Sequence, residues 1–404
     1  MTAKLALRNI FRQKTRTAVT LAAISIGVIG LILSSGFVAD IILQLGEAII
    51  HSQTGHIQVF RKDFLDKGTR QPTNFLIEQH ELVTRNLESI PGVEIVTSRI
   101  AFAGLLNNGK RDVAIVGEGI EPNSEARLGT YLTLVAGKQL SDTDTTGIML
   151  GQGVAETLGV IPGDSVTLLL NTADGALNTL DFLVTGVFQT FSKDFDARAV
   201  RIPLKAAQEL LSVSGSNLLV VMLNQTNMTE AGMAAVKNVI SERELDARSW
   251  RQLSDFYDKS VEMYKRQFGV LRLIVLFMLL LSVANSVNMS LFERTREFGT
   301  LLALGNRPSN VFWLIMTEGA LVGFIGATIG VLSGCIMAYV VSAIGIPMPP
   351  PPNANVGYTA RIMLLPTDVI TAWLIGFGAT SLATILPARR AANADVTEAL
   401  RHGV

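Results

Sequence analysis

Four long stretches of this 404-residue chain contain no Asp, Glu, Lys or Arg. They cover residues 17–39, 273–292, 319–360 and 369–388, and the third is most apolar over 320–344. A helix of about 20 apolar residues crosses a hydrocarbon core about 30 Å thick, so each stretch is long enough to span a membrane. A buried core helix is the alternative for any single stretch, but it explains all four poorly. The sequence therefore predicts four membrane-spanning helices.

The first stretch allows a second interpretation, because basic residues precede it as they do in a cleaved signal peptide. It is longer than the apolar core of about 7–15 residues in such signals, and no convincing small-x-small cleavage site follows it. We therefore expect residues 17–39 to remain in the protein as the first span.

Charge and cysteine content exclude several other classes of protein. The 34 basic residues balance 34 acidic ones, so binding to nucleic acid through bulk positive charge is not expected. Cys335 is the only cysteine in the sequence, which excludes a disulfide-bonded scaffold and any multi-cysteine metal or iron–sulfur site.

Basic residues near the predicted spans indicate the orientation of the chain, since loops rich in Lys and Arg stay in the cytoplasm. These residues are Lys4, Arg8, Arg12, Lys14, Arg16, Arg294, Arg296, Arg307, Arg389, Arg390 and Arg401. Their distribution predicts that both termini and residues 293–310 are cytoplasmic. Residues 47–266 and 345–367 are then outside.

The predicted outer segment, 47–266, has the pattern of a folded α+β domain. Alternating apolar residues predict strands at 56–60 and 181–188. Apolar residues at helical spacing predict helices at 78–89, 205–211 and 228–241. The expected fold class is therefore an α-helical membrane domain of four transmembrane helices with a large α+β extracytoplasmic domain.

Residues 104–111, Gly-Leu-Leu-Asn-Asn-Gly-Lys-Arg, nearly match the G-x-x-x-x-G-K-[ST] loop that binds nucleotide phosphates. Arg111 replaces the hydroxyl residue that binds magnesium, and an alternating strand follows where a helix is required. Asn108-Gly109 between apolar runs instead predicts a β-hairpin. Because the sequence contains no other match of this type, we expect the chain to hydrolyse no ATP.

The remaining candidates for chemistry are weak. His51 and His56 lack a nearby third metal ligand, and solvated or hydrogen-bonded histidines explain them better. No Ser/His/Asp or paired-carboxylate arrangement is supported by spacing. We therefore predict no catalytic, cofactor-binding or metal-binding residue in this chain.

An amphipathic pattern precedes the second span. Its apolar residues follow one another at steps of three or four and lie on one face of a helix: Trp250, Leu253, Tyr257, Val261, Tyr264 and Phe268. A helix over 250–292 would be about 64 Å long. It is predicted to be a packed amphipathic helix, a stiff rod that joins the outer domain to the membrane, or both.

The third span carries Gly326, Gly330 and Gly334 at steps of four, a spacing that lets two membrane helices approach closely. General glycine enrichment of membrane helices is the alternative explanation. Glu318 is predicted about a turn and a half inside the same helix. A carboxylate at that depth is costly in lipid, so it should face protein or lipid headgroups.

Residues 293–305, between the second and third spans, begin with charges and end with apolar residues. The charged candidates for contact with a partner are Glu293, Arg294 and Glu297, and the apolar ones are Phe298, Leu301 and Leu304, before a predicted C-cap at Gly305. The segment is either a solvated loop or a short cytoplasmic helix with a docking surface for a partner.

This segment, followed by Asn306-Arg307-Pro308 and Glu318, resembles the signature E-R-x-x-E-x-G-x-L-x-A-x-G of the MacB/FtsX-type (type VII) permeases of ABC transporters. Residues 7–17, 158–166 and 387–401 resemble the first helix, a piece of the outer domain and the tail of the same family. In the tail, Val396 stands where the family usually has proline.

The resemblance implies a porter-like outer domain interrupted by a β-rich insert at about 101–197. It also implies a dimer in which each permease binds one cytoplasmic ATPase, with ATP and Mg bound by that partner. The implied division is a cytoplasmic N-terminal helix at 1–16, a first span with outward extension at 17–46, the periplasmic domain at 47–266, a second span at 267–292, a cytoplasmic coupling loop at 293–310, a third span at 311–344, an outer Pro-rich loop at 345–367, a fourth span at 368–388 and a cytoplasmic tail at 389–404.

Size and layout are most similar to the LolC/LolE group of lipoprotein-releasing permeases. The resemblance therefore implies a subunit in the bacterial inner membrane that extracts or exports lipoproteins or other amphiphilic cargo. The stretch 171–179 lacks the proline and basic residues of the hook that docks the lipoprotein carrier in LolC-type chains. The polyproline segment 347–352 is a linker or the edge of an exit site.

The expected partners are an ATPase, an identical or different second permease, membrane lipid and a periplasmic or outer-membrane lipoprotein, but no nucleic acid. The alternative function is a signalling complex that moves nothing and controls a periplasmic partner such as a cell-wall hydrolase.

Overall fold

A computed structural model describes residues 14–68, 72–129, 131–349 and 357–393. Most of the predicted N-terminal helix, the prolines at 350–352 and residues 394–404 of the tail lie outside this part of the chain. The chain divides into two compact units. The helical unit comprises residues up to 42, 260–347 and 359 onward, and the sheet unit comprises residues 43–259 and 348–358.

The α-helices in the described part of the chain are α1 (Lys14–Ile49), α2 (His80–Glu88), α3 (Pro122–Leu128), α4 (Gln152–Leu158), α5 (Lys193–Asp196), α6 (Leu204–Leu211), α7 (Thr229–Ile240), α8 (Trp250–Leu253), α9 (Asp255–Glu293), α10 (Thr295–Ala303), α11 (Pro308–Ile344) and α12 (Pro366–Ala392). Short π-helical segments occupy Ile50–Thr54 and Phe64–Gly68, and 3₁₀ turns occupy Pro72–Phe75 and Thr226–Met228.

Four of these helices, α1, α9, α11 and α12, are long and apolar enough to cross a membrane. The prediction of four spans is confirmed. Their interior includes Ile24, Val28 and Ile32 of α1 together with Leu279 and Val283 of α9. The helical unit is therefore a four-helix bundle with an apolar interior.

The predicted helix over 250–292 is wrong at its start. Ser249 forms a capping box with Gln252 and begins the separate turn α8, which ends at Ser254 with φ −122° and ψ 82°. The hydroxyl of Ser254 accepts a hydrogen bond from the N–H of Tyr257 at 3.3 Å, so α9 begins at Asp255. The 39 residues of α9 give a length of about 58 Å, at about 1.5 Å per residue.

The strands are β1 (Ile57–Arg61), β2 (Val93–Asn107), β3 (Asp112–Ile120), β4 (Thr133–Gly137), β5 (Gly147–Gly151), β6 (Ser165–Asn171), β7 (Leu177–Gln189), β8 (Ala199–Pro203), β9 (Leu218–Leu223), β10 (Leu245–Ser249), β11 (Ile346–Met348) and β12 (Tyr358–Ala360). The first ten form one sheet in the order β10-β1-β9-β2-β3-β8-β5-β7-β4, and β6 pairs with β2 and β7. The predicted α+β domain is thus confirmed.

The predicted hairpin at Asn108-Gly109 joins β2 to β3, which pair antiparallel from Arg99↔Ile120 to Asn107↔Asp112. Gly109 has φ 83°, a left-handed conformation that glycine adopts without strain. The segment that resembles a phosphate-binding loop is therefore a β-turn between two strands.

The two largest apolar cores described in the sheet unit are separate from each other. One is built from residues between Ile57 and Val96 and between Leu219 and Ala247. The other is built from residues between Ile100 and Leu211, a range close to the expected insert. Strand β2 contributes to both cores, because Val96 belongs to the first and Ile100 to the second.

Candidate coupling site around helix α10

Helix α10 is separated from α9 and α11 by residues whose backbone conformation is not helical. Arg294, with φ −104° and ψ 8°, separates it from α9. At the other end Gly305 has φ 88°, and its N–H donates to the carbonyl of Leu302 at 3.0 Å while the N–H of Asn306 donates to Leu301 at 3.1 Å. This pair of bonds is a Schellman cap, so Gly305 ends the helix as the sequence predicts.

One face of α10 is buried against the helical unit. Phe298 is 2 % exposed and belongs to an apolar cluster with Leu291, Val311, Ile315, Ala388 and Ala392. Its side chain was expected at a docking surface, but burial makes it the anchor of the helix instead. The sequence did not distinguish these roles, because the apolar periodicity of a nine-residue helix does not say which apolar residue is already packed.

The other apolar residues of the predicted docking surface are more accessible. Leu304 is 78 % exposed, and Leu301 is half-buried beside the cluster that contains Phe298. Glu293 is exposed at the end of α9. The accessible apolar surface at this end of the segment is therefore centred on Leu304.

Arg294 joins the start of α10 to the spanning helix α11. Its Nη1 donates to Glu318 Oε2 at 2.7 Å, its Nε donates to Glu297 Oε2 at 3.0 Å, and its guanidinium lies 4.9 Å from the centre of the Phe298 ring. Burial opposes the charge of Arg294, but hydrogen bonds to Glu318 and Glu297 outweigh that effect and raise its pKa. Glu318 thus faces protein, as its position in a spanning helix requires.

Exposure differs among the three charged side chains of this cluster. Arg294 and Glu318 are 8 % and 15 % exposed, whereas Glu297 is 42 % exposed. The Arg294–Glu318 pair is therefore a structural link inside the bundle, and Glu297 is the member that a partner can reach.

A cavity of about 80 Å³ with both polar and apolar lining residues lies beside this cluster. Its polar lining comes from all four spanning helices and the Arg294 turn: Thr17, Thr20, Ser286, Ser290, Arg294, Glu318, Thr380 and Thr384. The hydroxyls of Thr20 and Ser286 are hydrogen bonded to each other. A cavity of this size accommodates several water molecules, and these polar groups are their possible partners.

The predicted glycine row of α11 lies directly against α1. A Cβ added at Gly326 would come within 3.0 Å of the Cβ of Ile24, and one added at Gly330 would come within 2.8 Å of the Cβ of Val28. At Gly334 the nearest atom would be Cδ1 of Ile32 at 3.0 Å. A side chain at Gly330 would overlap α1, and at Gly326 or Gly334 it would fit only if the neighbouring side chain of α1 shifted.

A second small-residue contact was missed by the sequence pattern. Gly323 faces Thr380 of α12, with 2.9 Å between an added Cβ and the threonine Cβ, and Gly319 faces Thr384. Thr380 and Thr384 are each 1 % exposed. The spacing of four in both pairs was a usable signal.

The two histidines weighed as metal ligands make hydrogen bonds within the sheet unit. His51 Nε2 lies 3.2 Å from Glu47 Oε2, and Nδ1 of His56 accepts the N–H of Leu223 at 3.1 Å. Burial is the main cause of a lowered pKa for His56, about 4. His56 is therefore neutral at pH 7.

Two family models match this chain. The model for the MacB-like periplasmic core domain matches residues 17–239, which is more than half of the chain, and the model for the FtsX-like permease C-terminal domain matches residues 263–396. The chain belongs to the MacB/FtsX-type permeases of ABC transporters. It is a multi-pass bacterial membrane protein.

Similarity to curated relatives extends over nearly the whole chain. The lipoprotein-releasing system transmembrane protein LolC of Neisseria meningitidis serogroup B is 25% identical over 96% of this chain and 94% of its own length. LolE of Haemophilus influenzae is 19% identical over 80% of this chain and 81% of its own length. The macrolide export ATP-binding/permease protein MacB of Rhodospirillum rubrum is 28% identical over 62% of this chain and 37% of its own length. The chain is accordingly an ABC transporter permease of the LolC and MacB type.

Proposed function

We propose that this permease extracts or exports lipoproteins or other amphiphilic molecules from the bacterial inner membrane. The observation that carries the proposal is the similarity to LolC along almost the full length of both chains, since the name of that relative describes a lipoprotein-releasing system. A match to an isolated domain would support the fold alone.

A separate cytoplasmic ATPase supplies the energy in this proposal, and it binds both ATP and Mg. The one segment that resembles a phosphate-binding loop is the turn between β2 and β3, which supports an energy source outside this chain. Helix α10 is the docking element for the ATPase. Its Schellman cap and the Arg294–Glu318 pair support this role, because they hold the helix to the bundle while Leu304 remains exposed.

The proposed complex contains two permease chains, identical or different, with both termini and residues 293–310 in the cytoplasm. The sheet unit is then periplasmic and meets lipoprotein cargo or a lipoprotein partner there. Nucleotide-driven motion of the ATPase pair is relayed through α1 and α9 to the sheet units. The basic residues beside the spans support this orientation.

Release from nanodiscs, in which both faces of the membrane are accessible, tests the proposed function. Nanodiscs that hold lipoprotein, this permease and its co-purified ATPase should release lipoprotein in a form separable from the nanodiscs with ATP, but not with a non-hydrolysable analogue. Nanodiscs without the permease are the control. If ATP releases no lipoprotein and instead alters the activity of an added cell-wall hydrolase, the signalling function replaces the transport function.

Orientation is tested by single cysteines at two exposed positions, after replacement of Cys335 by alanine. Asn123 lies in the sheet unit and Ser309 lies near the start of α11. A membrane-impermeant thiol reagent applied to intact spheroplasts should label Asn123→Cys and leave Ser309→Cys unlabelled. The reverse pattern would overturn the orientation.

A further inference from the structure

Four charged side chains meet inside the sheet unit, away from the coupling site. They are Arg99 on β2, Glu118 on β3, Arg201 on β8 and Glu125 on α3, with side chains 1 %, 15 %, 3 % and 3 % exposed. Strand β3 pairs with both β2 and β8, so the three strand residues lie on neighbouring strands. Two positive and two negative charges leave the cluster neutral, as burial requires.

The contacts within this cluster are short and directional. Arg99 binds Glu125 with two parallel bonds, Nε to Oε1 at 2.5 Å and Nη2 to Oε2 at 2.8 Å. Arg201 donates from Nε to Glu118 Oε2 at 3.0 Å, and its guanidinium lies 5.4 Å from the centre of the Phe188 ring. Burial opposes the charge of Glu118, but the two arginines outweigh it and lower its pKa.

Each arginine keeps one further N–H for the main chain. Arg99 Nη1 donates to the carbonyl of Gln53 at 2.6 Å, and Arg201 Nη2 donates to the carbonyl of Ser52 at 3.1 Å. Both carbonyls belong to the π-helical turn Ile50–Thr54, which directly follows α1. The last carbonyls of a helix lack hydrogen-bond partners within the helix and carry partial negative charge. The two guanidinium groups supply both the missing donors and the opposite charge.

The attachment lies between the two largest cores of the sheet unit. On β2, Arg99 stands between Val96 of one core and Ile100 of the other. Arg201 on β8 is surrounded in sequence by Val200 and Ile202 of the second core. A displacement of the π-helical turn therefore acts on both halves of the sheet through one pair of side chains.

We infer that Arg99 and Arg201 are positioning residues that clamp the end of the first spanning helix to the sheet. Because of this attachment, the end of that helix and the sheet move together. This inference rests on the proposed function, in which α1 carries nucleotide-driven motion. It assigns the delivery of that motion to two hydrogen bonds, Arg99 to Gln53 and Arg201 to Ser52.

The choice of charged residues supports positioning over stability. Apolar residues of similar volume stabilise an interior as well as a buried ion pair does, or better. They make no directional bond to a carbonyl, whereas a guanidinium holds a carboxylate and a carbonyl at fixed angles. Lysine lacks this fork, so Arg201→Lys retains the charge opposite Glu118 but should lose the simultaneous bond to Ser52.

The clamp is tested in the full chain in nanodiscs with spin labels at Leu43→Cys and Lys205→Cys, after replacement of Cys335 by alanine. Both label positions are exposed and belong to the sheet unit. The double variant Arg201→Met with Glu118→Gln removes one charge of each sign. Arg61→Met with Glu244→Gln is the matched control, since that pair is 3.1 Å apart but 40 % and 81 % exposed.

The label distance should be narrowly distributed in the parent chain and in the control, and its distribution should at least double in width in the clamp variant. Arg201→Lys should give a width between those of the parent and the clamp variant. This single substitution keeps the positive charge, so it tests the inference even if the double variant does not fold. In the complex with the ATPase, the clamp variant should hydrolyse ATP at the parent rate but release lipoprotein at least about five-fold less efficiently per ATP.

An unchanged width in Arg201→Lys or the clamp variant overturns the inference, and so does a doubled width with unchanged release per ATP. A parent complex that releases no lipoprotein contradicts the proposed function instead. The label distances then decide the clamp by themselves, because they need neither cargo nor ATP.

Discussion

Both units of this permease have apolar interiors, but they differ in how their elements approach one another. In the helical unit, Gly326, Gly330 and Gly334 bring α11 against α1 and leave little room for a side chain. In the sheet unit, large residues such as Ile100 and Phe182 are fully enclosed. Lipid tails are as apolar as leucine, so membrane helices associate by close packing of small residues, whereas a water-exposed domain is stabilised by the apolar area it removes from water.

Each unit also encloses an arginine cluster, and the clusters differ in their access to solvent. The partners of Arg99 and Arg201 are at most 15 % exposed, while Glu297 beside Arg294 is 42 % exposed. A closed cluster holds one fixed geometry, and a cluster with one open side offers a contact to another protein. Similar ion pairs therefore suit attachment in one unit and docking in the other.

Removing a large buried side chain should destabilise the sheet unit. Phe182→Ala is expected to lower the free energy of unfolding by about 3–5 kcal/mol, because Phe182 is 1 % exposed inside the larger sheet core. Leu183→Ala next to it is the control, since Leu183 is 51 % exposed and should cost about 0.5 kcal/mol or less. Equal thermal shifts for the two variants would contradict this view of the core.

Adding a large side chain to the glycine row of α11 should disrupt its contact with α1. Gly330→Leu is expected to cost about 3 kcal/mol or more, because its Cβ would lie 3.0 Å from the Cα of Ser25 and the helices must separate. Gly378→Leu in α12 is the matched control, since no heavy atom lies within 4 Å of an added Cβ there. The measurement is the monodisperse fraction and unfolding temperature in detergent, and similar values for both variants would refute the close contact.

Acid should weaken the sheet unit through His56. Its pKa is about 4 in the folded protein, against 6.5 ordinarily, so only the unfolded state takes up this proton between those values. The free energy of unfolding should therefore fall as pH drops from about 6.5 to about 4, by about 3 kcal/mol in total. Above pH 6.5 His56 contributes no pH dependence.

Hydrogen exchange of the β1 amides, compared between the parent and His56→Asn at each pH, isolates this contribution. Asparagine keeps an acceptor for the N–H of Leu223 and does not titrate. Protection of the parent relative to the variant should fall as the pH drops from about 6.5 to about 4, and should not change above pH 6.5. Parallel profiles from pH 7 to pH 4 would show that His56 does not govern this change.

Local patterns predicted much of the architecture. Uncharged stretches gave the four spans, Asn108-Gly109 gave the β2–β3 hairpin, and Gly305 gave the end of α10. Each of these features is decided by residues close together in the sequence. For Glu318 the local signals allowed either protein or lipid headgroups, and the contact with Arg294 decided for protein.

Features that depend on distant residues were not predictable in the same way. Arg99 and Arg201 are separated by 102 positions in the sequence. Their contact with the turn at Ser52 and Gln53 depends on the order of the strands in the sheet. The break at Ser254 depends on competition between two caps, and burial of Phe298 depends on residues from α9, α11 and α12. A single sequence carries little information about such long-range choices.

Helix α10 is proposed to connect this permease to a cytoplasmic ATPase through the apolar surface at Leu304. Burying a leucine contributes about 1.5–3 kcal/mol, whereas an exposed ion pair contributes about 1 kcal/mol at most. Leu304→Asp should therefore weaken association by roughly ten-fold or more. Leu301→Asp tests the same surface, but Leu301 is half-buried, so this change also affects packing within the permease. Glu297→Ala should leave assembly with the ATPase largely intact and lower transport per ATP.

The decisive measurement is the yield of ATPase recovered with each purified variant in nanodiscs, together with its ATPase activity. Ala303→Asp is the control, since it adds the same charge at the neighbouring position without removing a large apolar side chain. We expect strong loss of the ATPase for Leu304→Asp and near-parent recovery for Ala303→Asp and Glu297→Ala. Full recovery and normal coupled activity with Leu304→Asp would show that residues 293–305 are only a connector.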